Sequence, residues 1–310
     1  EDKKGIYWLG GIKGLVRFDG KFTPINSIGG IPIVKAIRSI SESSDGSLWI
    51  TDGALIQRIK DNSVKNYSLP FKVAQNSIRQ IFVDSGNRIW APTINGLYYF
   101  ENESFKKYSA NSILEKEYIL RIHETKGGKL WFSVRDFGVV SYDGKKFEEL
   151  SEKNGLSTGL IYSVFQDNED NIWFGTDEGL DFYNNDIFIK YDRASGLKEN
   201  LVWCVHQDKD KNIWIVTDRA GISIIKGGKI IPFDKQKQMN VKQYYNLYQD
   251  KWGNLWIATR EGMFKYNGSS FQKVIDGGFS SIIQDKYNHL WFGSFDKGFF
   301  KWDGTKITNI

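Results

Sequence analysis

The chain has 310 residues, of which 40% are hydrophobic and 15% aromatic, enough apolar surface for a large buried core. Its 42 basic and 37 acidic residues are intermixed, so the net charge of +5 is only weak support for nucleic-acid binding, which usually needs a clustered basic face. The single cysteine excludes an intrachain disulfide and a thiolate metal site, and no apolar run is long enough to span a membrane.

One tryptophan column organises the sequence. Its members are 41 or 42 residues apart, except that the last follows after 35. A period near 40, with about four short β-rich runs per unit, is typical of a β-propeller. The column consists of Trp8, Trp49, Trp90, Trp131, Trp173, Trp214, Trp256 and Trp291.

Each unit is predicted to contain four antiparallel strands. The second strand carries the tryptophan, and the third ends in an aromatic residue before a tight turn such as Asp143-Gly144. The fourth strand follows that turn and holds a phenylalanine in several units, for example Phe147. First strands are predicted at residues 37–42, 78–83, 119–124, 161–166, 202–207, 244–249 and 279–284.

The chain opens with the turn and second strand of a unit, since Asp2 and Trp8 already have the spacing found in later units. Seven first strands and eight of each other strand are therefore present. We predict an all-β fold, a β-propeller of four-stranded antiparallel blades forming a single domain over residues 1–310. Eight blades are favoured, with the first blade incomplete at the N-terminus, and seven blades are the alternative.

Comparing the internal copies separates positions that the fold requires from positions that vary. Six residues before the tryptophan, six of eight units have an aspartate, which we expect to cap the following turn rather than to act in catalysis. These aspartates are Asp2, Asp84, Asp167, Asp208, Asp250 and Asp285.

The position eleven residues before the tryptophan varies strongly. It should lie at the start of the first strand, normally the strand nearest the propeller axis, at one mouth of the central channel. The turn between the second and third strands should open onto the same face. Aromatic rings there could stack on sugars and arginines could form directional hydrogen bonds, although an ordinary solvated rim is the alternative. The candidate ligand-binding residues are Arg79, Arg135, Tyr162, Trp203, Arg219, Tyr245 and Arg260.

Other reactive residues do not form a convincing site. His123 and His206 share one column in non-adjacent units, and His289 lies in a turn, which disfavours a metal site. Cys204 and His206 fall on one strand face, but no third group that could orient the histidine is visible. We therefore predict no catalytic residue, no metal and no cofactor.

Residues 171–180, NIWFGTDEGL, resemble the core of the two-component regulator propeller repeat, and residues 254–263, NLWIATREGM, are a second good copy. In that family such propellers form the periplasmic sensor portions of hybrid two-component systems, many of which detect oligosaccharides. Similar propellers occur as exported proteins or lipoproteins. Eight units are fewer than the two successive rings of a full sensor, so the resemblance implies the fold more directly than the sensor role.

Together these observations predict a non-catalytic, ligand-binding propeller of sensor type that binds a small molecule or an oligosaccharide. The alternative is an interaction scaffold, or an accessory protein or lipoprotein subunit, with a protein partner in the cell envelope. An enzyme is a third and weaker interpretation. The resemblance implies a bacterial, extracytoplasmic location, either the periplasm or the outer membrane, and we expect no nucleic-acid partner.

Overall fold

The computed structural model describes residues 1–72, 74, 77–157, 160–184 and 187–309. The fold is an all-β, eight-bladed propeller in which seven blades are four-stranded antiparallel sheets and the first blade has three strands. The prediction of eight blades with an incomplete first blade is confirmed. Chain contacts divide the molecule into two compact units, Glu1–Leu150 (unit 1) and Ser151–Ile310 (unit 2), which are described separately below. The prediction of a single domain over residues 1–310 stays a prediction.

Unit 1 contains blades 1 to 4, a small additional hairpin and one short helix. Asn111 caps this helix, α1 (Ser112–Lys116), because its side chain accepts hydrogen bonds from the backbone N–H groups of Ile113 and Leu114. The strands are β1 (Tyr7–Gly11), β2 (Gly14–Phe18), β3 (Phe22–Ile25), the hairpin β4 (Ser27–Ile28) and β5 (Ile31–Pro32), β6 (Ser39–Glu42), β7 (Leu48–Thr51), β8 (Ile56–Lys60), β9 (Ser63–Tyr67), β10 (Phe82–Val83), β11 (Ile89–Thr93), β12 (Gly96–Glu101), β13 (Ser104–Lys107), β14 (Ile119–Glu124), β15 (Leu130–Val134), β16 (Gly138–Tyr142) and β17 (Phe147–Leu150).

Unit 2 contains blades 5 to 8. Two short 3-10 helices, Glu152–Asn154 and Asp234–Met239, belong to the connections that lead into blades 5 and 7. The strands are β18 (Ile161–Gln166), β19 (Ile172–Thr176), β20 (Leu180–Asn184), β21 (Ile187–Tyr191), β22 (Val202–Gln207), β23 (Ile213–Thr217), β24 (Gly221–Lys226), β25 (Lys229–Pro232), β26 (Tyr244–Gln249), β27 (Leu255–Thr259), β28 (Gly262–Tyr266), β29 (Phe271–Asp276), β30 (Phe279–Gln284), β31 (Leu290–Ser294), β32 (Phe299–Trp302) and β33 (Ile307–Asn309).

Five of the seven predicted first strands have the predicted bounds, and blade 3 differs most. Its first strand was expected at residues 78–83, but β10 covers only Phe82–Val83, with an isolated bridge between Ile78 and Thr93. The reason is Pro92 in β11, which accepts a hydrogen bond from the N–H of Arg79 but has no N–H to return. In blade 2 the first strand begins at Ser39 rather than at residue 37.

The core of each unit lies between neighbouring blades, where seven of the eight column tryptophans are buried and Trp8 of the three-stranded first blade is partly buried. Trp173 of blade 5, for example, is 4% exposed and packs with Val202, Val205 and Ile215 of blade 6. Trp256 of blade 7 packs in the same way on blade 8. Each aromatic ring buried between sheets contributes a large apolar contact area, so the tryptophan column is a packing feature of the fold.

The repeated aspartates cap their turns as predicted, and each also binds the indole of its own blade. Asp167 accepts hydrogen bonds from the N–H groups of Glu169 and Asn171, at 3.0 and 2.9 Å, and from Trp173 Nε1 at 2.8 Å. The same indole-to-carboxylate bond, 2.7 to 2.9 Å long, joins the other five pairs: Trp8 to Asp2, Trp90 to Asp84, Trp214 to Asp208, Trp256 to Asp250 and Trp291 to Asp285.

Candidate functional site

The variable column coincides with β-bulges. In five blades the pairing between the first and second strands skips one residue of the first strand, and in each case that residue is the one eleven positions before the tryptophan. A bulged residue leaves the ladder and its side chain is re-aimed, an arrangement common beside functional sites. Ladder pairing therefore does not constrain this column. The bulged residues are Leu120, Tyr162, Trp203, Tyr245 and Ser280.

Backbone hydrogen bonds hold the turn after the second strand beside the bulge of the same blade. In blade 7 the N–H of Arg260 donates to the carbonyl of Gln243 at 3.1 Å, and in blade 4 the N–H of Arg135 donates to Tyr118 at 2.8 Å. In blade 6 the N–H of Asp218 donates to the carbonyl of Leu201 at 3.1 Å. Within each of these blades, the two variable segments therefore lie at one end of the sheet, as the sequence predicted.

In unit 2 the bulge aromatics of blades 5 and 6 are in contact. The rings of Tyr162 and Trp203 meet edge to face with their centroids 5.1 Å apart, and both side chains are half-buried. Trp203 donates its indole N–H to Asp218 Oδ1 at 3.1 Å. Asp218 also pairs with Arg219, whose Nε lies 3.2 Å from Oδ2. The turn of blade 6 thus fixes the indole orientation and leaves the Arg219 side chain 76% exposed.

Gln243 connects this group to blade 7. Its Nε2 donates to Asp218 Oδ1 at 3.4 Å, and its Oε1 accepts from the Tyr245 hydroxyl at 3.2 Å and from Arg260 Nη1 at 3.3 Å. The Tyr245 ring then meets Phe295 of blade 8 with the centroids 5.1 Å apart. A continuous series of contacts, the aromatic network, therefore runs across four adjacent blades. Its members are Tyr162, Trp203, Asp218, Arg219, Gln243, Tyr245, Arg260 and Phe295.

Two turn carboxylates close to the first strands retain hydrogen-bonding capacity. Asp177 Oδ1 and Glu261 Oε2 are buried and have no hydrogen-bond partner among the residues that the structure describes. Burial and the charge of Asp177 raise the pKa of Tyr162. In the same way, burial and Glu261 raise the pKa of Tyr244 to about 12. Buried acceptors without partners are costly, so these two carboxylates are a local source of instability in their turns.

In unit 1 the two predicted arginines meet at a tyrosine. The guanidinium carbons of Arg79 and Arg135 lie 5.7 and 5.4 Å from the ring centroid of Tyr118. Such distances are in the range of cation–π attraction. An open depression of about 480 Å³ adjoins this group and is lined by Ile113, Glu117, Tyr118, Arg135, Asp136 and Phe137.

All seven predicted ligand-binding residues therefore belong to one of two groups. Tyr162, Trp203, Arg219, Tyr245 and Arg260 are in the aromatic network, whereas Arg79 and Arg135 are grouped in unit 1. The sequence reasoning missed Gln243 and Tyr118. Both occupy a further variable column, thirteen residues before the tryptophan, whose carbonyl groups accept the turn bonds described above. That column's variability was the signal that could have identified them.

Cys204 and His206 are held in contacts between blades 6 and 7. Burial lowers the pKa of His206 to about 4, and its Nε2 accepts a hydrogen bond from the N–H of Gln249 at 3.2 Å. Burial raises the pKa of the Cys204 thiol to about 11, and its sulfur lies 3.7 Å from Asn246 Oδ1. This geometry gives both residues a structural role. Within the described ranges, no helix has the length and apolar character needed to cross a membrane.

The sequence model of the two component regulator propeller family matches residues 155–178, 196–219 and 238–261, so the predicted repeat family is confirmed. A curated relative, histidine kinase P4 of Formosa agariphila, is 24% identical over 123 residues, which are 37% of this chain and 9% of the relative. The match thus spans less than a tenth of that protein.

Two solved structures show the same fold at low identity. One is the extracellular domain of BT3049 from B. thetaiotaomicron, described as a hybrid two component system. It is 18% identical with a TM-score of 0.60, and the match covers 98% of this chain and 55% of that one. The other, virginiamycin B lyase from Staphylococcus aureus, is 16% identical with a TM-score of 0.60, covering 88% and 95% of the two chains. At these identities the likeness concerns the fold alone.

Proposed function

We propose that this chain of two-component regulator propeller repeats is a non-catalytic, ligand-binding propeller of sensor type that binds a small molecule or an oligosaccharide. The observation that carries the proposal is the aromatic network. Three large aromatic side chains, Tyr162, Trp203 and Tyr245, occupy bulges in adjacent blades, where the fold does not require an aromatic residue. The extracellular domain of BT3049 has the same fold and supports an extracytoplasmic location, in the periplasm or at the outer membrane.

The chemistry of the network suits a hydroxylated ligand. Half-buried aromatic rings offer apolar faces to a sugar ring, while Arg219 and Arg260 supply exposed charged donors. Trp203 is oriented by its bond to Asp218, so the site needs little rearrangement to bind.

The test is to screen the protein against a panel of oligosaccharides and to measure the best binder by isothermal titration calorimetry. Trp203→Ala and Tyr245→Ala should each weaken binding by roughly thirtyfold or more, since buried aromatic anchors are worth about 2 kcal/mol at binding sites. Their Tm should stay close to that of the wild type because both side chains are partly exposed.

Matched controls are available elsewhere in unit 2. Trp252 and Tyr287 are 51% and 57% exposed and lie in turns between first and second strands. Trp252→Ala and Tyr287→Ala should leave the affinity unchanged. If Trp203→Ala instead lowers the Tm strongly, the network is part of the core. If the variant binds the same glycan as well as the wild type, the network is not the binding site. Either outcome contradicts the proposal.

The alternative function, an interaction scaffold or accessory cell-envelope subunit, is favoured by a different observation. The fourth strands of blades 5 and 6 expose isoleucines: Ile187 and Ile189 are 61% and 44% exposed on β21, and Ile231 is 46% exposed on β25. Exposed apolar side chains on neighbouring outer strands are compatible with a protein partner. A stoichiometric partner lost on Ile187→Glu and Ile189→Glu substitution, without any glycan binding, would favour the scaffold.

The absence of catalysis is part of the proposal. Virginiamycin B lyase, which has the same fold, is an enzyme, so the fold alone does not decide whether a propeller of this kind is catalytic. In this chain His206 already accepts a backbone hydrogen bond and has a low pKa, which leaves it poorly suited to act as a base near neutral pH. Incubating the best-bound glycan with the protein should yield no new product by mass spectrometry.

A further inference from the structure

Two arginines of unit 1 lie close together without an acidic partner. Arg79 is in the connection just before β10, and Arg121 is in β14 of the next blade. Arg121 is exposed to solvent, but the protein around its guanidinium lowers its pKa, and the positive charge of Arg79 lowers the pKa further. In the part of the chain that the structure describes, neither guanidinium has a carboxylate within ion-pair distance. Placing like charges together is unfavourable unless an anion compensates them.

Tyr118 brings a third arginine to the same place. Its ring contacts Arg79 on one blade and Arg135 on the next, within 6 Å of the centroid in both cases. Arg135 also contacts Asp136, with Nε 3.4 Å from Oδ2, but these side chains are 52% and 76% exposed. An exposed pair of this kind contributes little stability, so a ligand anion can compete for Arg135.

We propose that this arginine cluster, defined as Arg79, Arg121, Arg135 and the adjoining Tyr118, binds an anionic group of the ligand: a carboxylate, a sulfate or a phosphate. Guanidinium groups match the geometry of these anions and can bind them through paired hydrogen bonds. An anion there would also relieve the repulsion between Arg79 and Arg121. The inference deepens the proposed function and rests on it for the remainder of the ligand.

The adjoining depression accounts for the uncharged part of such a ligand. Phe137 and Tyr118 provide apolar and aromatic surface, and the carboxylates of Glu117 and Asp136 provide acceptors for hydroxyl groups. Acidic side chains at the rim would disfavour a purely polyanionic ligand. A sugar acid or a singly sulfated sugar therefore fits the site better than a highly charged polymer.

The experiment measures the Tm with four probes: sodium sulfate, sodium phosphate, sodium glucuronate and glucose, each at an ionic strength matched with sodium chloride. Sulfate and phosphate raise the Tm of many proteins by exclusion from the surface, so the informative quantity is the difference between wild type and variant. With at least one anion, the Tm of the wild type should rise more than the Tm of Arg121→Gln. With glucose, the two proteins should show the same change in Tm.

Arg121→Gln has a second expected effect that separates binding from structure. Because it removes one of two like charges, its Tm in chloride should equal or exceed that of the wild type. Its affinity for the stabilising anion should fall roughly tenfold or more, as expected for loss of a charge-assisted hydrogen bond. Arg79→Gln should behave in the same way, and Arg17→Gln, which removes an exposed arginine paired with Asp19, should change neither quantity.

Each outcome decides the inference. A rise in Tm with glucuronate identifies a carboxylate, as in a sugar acid, as the bound group, and a rise with sulfate or phosphate alone identifies a sulfate or phosphate group. An equal rise in Tm in the wild type and both variants means a general salt effect and overturns the proposal. A lower Tm of both variants than of the wild type in chloride also overturns it. Trp203→Ala should keep the anion-dependent gain, so failure of the aromatic network and failure of the arginine cluster are distinguishable.

Discussion

The bond between the repeated aspartate and the indole of its blade should be a principal source of stability. In blade 5, Asp167 is 3% exposed and accepts from Trp173 Nε1 at 2.8 Å and from two turn N–H groups at 2.9 and 3.0 Å. Asp167→Ala removes these acceptors and leaves a buried indole N–H unpaired. A hydrogen bond to a charged group is worth about 1.5–3 kcal/mol, so we expect a loss of roughly 3–5 kcal/mol in the free energy of unfolding.

The indole contribution can be separated by a double-mutant cycle. Trp173→Phe keeps an aromatic ring between blades 5 and 6 but has no N–H, so Asp167→Ala should cost about 1.5–3 kcal/mol less in that background. Trp173→Ala, in contrast, removes the packing against Val202 and Ile215 and should cost about 3–5 kcal/mol through the void that it leaves.

The assay is urea unfolding followed by far-UV circular dichroism, because a tryptophan substitution changes fluorescence directly. Asp143→Ala is the matched control: Asp143 caps an exposed turn through Lys145 and Lys146 and contacts no indole. It should shift the unfolding midpoint much less than Asp167→Ala. A cost below about 1 kcal/mol for Asp167→Ala, or the same cost with and without the Trp173 N–H, would refute the reasoning.

Two further predictions concern the contacts between blades 6 and 7. Since burial lowers the folded-state pKa of His206 from 6.5 to about 4, its contribution to stability is present above pH 6.5 and is lost as the pH falls towards 4. The slope is at most about 1.4 kcal/mol per pH unit, and an unfolding free energy whose pH dependence is unchanged in His206→Gln would contradict this. Since burial raises the pKa of Cys204 to about 11, native protein at pH 8 should react with iodoacetamide roughly a hundredfold more slowly than urea-unfolded protein. The alkylation rate is measured by mass spectrometry. Equal rates for native and unfolded protein would show that the thiol is accessible and ionised in the fold.

The fold could be predicted from the sequence because its determinants are local and repeated. Trp173, its partner Asp167 and the turn between them lie within seven residues, so the spacing alone indicated the hairpin. Even so, the sequence indicated only that Asp167 caps the turn, and the bond to the indole became evident in the structure. The shortened first strand of blade 3 also follows from one residue, Pro92, whose missing N–H interrupts the strand pairing found in the other blades.

The candidate site was predictable only in part. The variable column indicated Tyr162, Trp203 and Tyr245, because positions free of ladder pairing are free to vary. The sequence could not indicate that Gln243 joins Asp218 to Tyr245, or that Tyr118 contacts both Arg79 and Arg135. Two of those four contacts, Gln243 to Asp218 and Tyr118 to Arg79, join residues of different blades, and no local pattern encodes them.

The sequence by itself determined the strand order within each blade and the tryptophan column, and it favoured eight blades over seven, because these features follow from a pattern that recurs about every 41 residues. Tertiary structure alone decided which variable side chains share a surface. The bulges in five first strands and the twist between neighbouring sheets set the direction of those side chains, and the sheets take up their relative orientation only when the blades pack against one another.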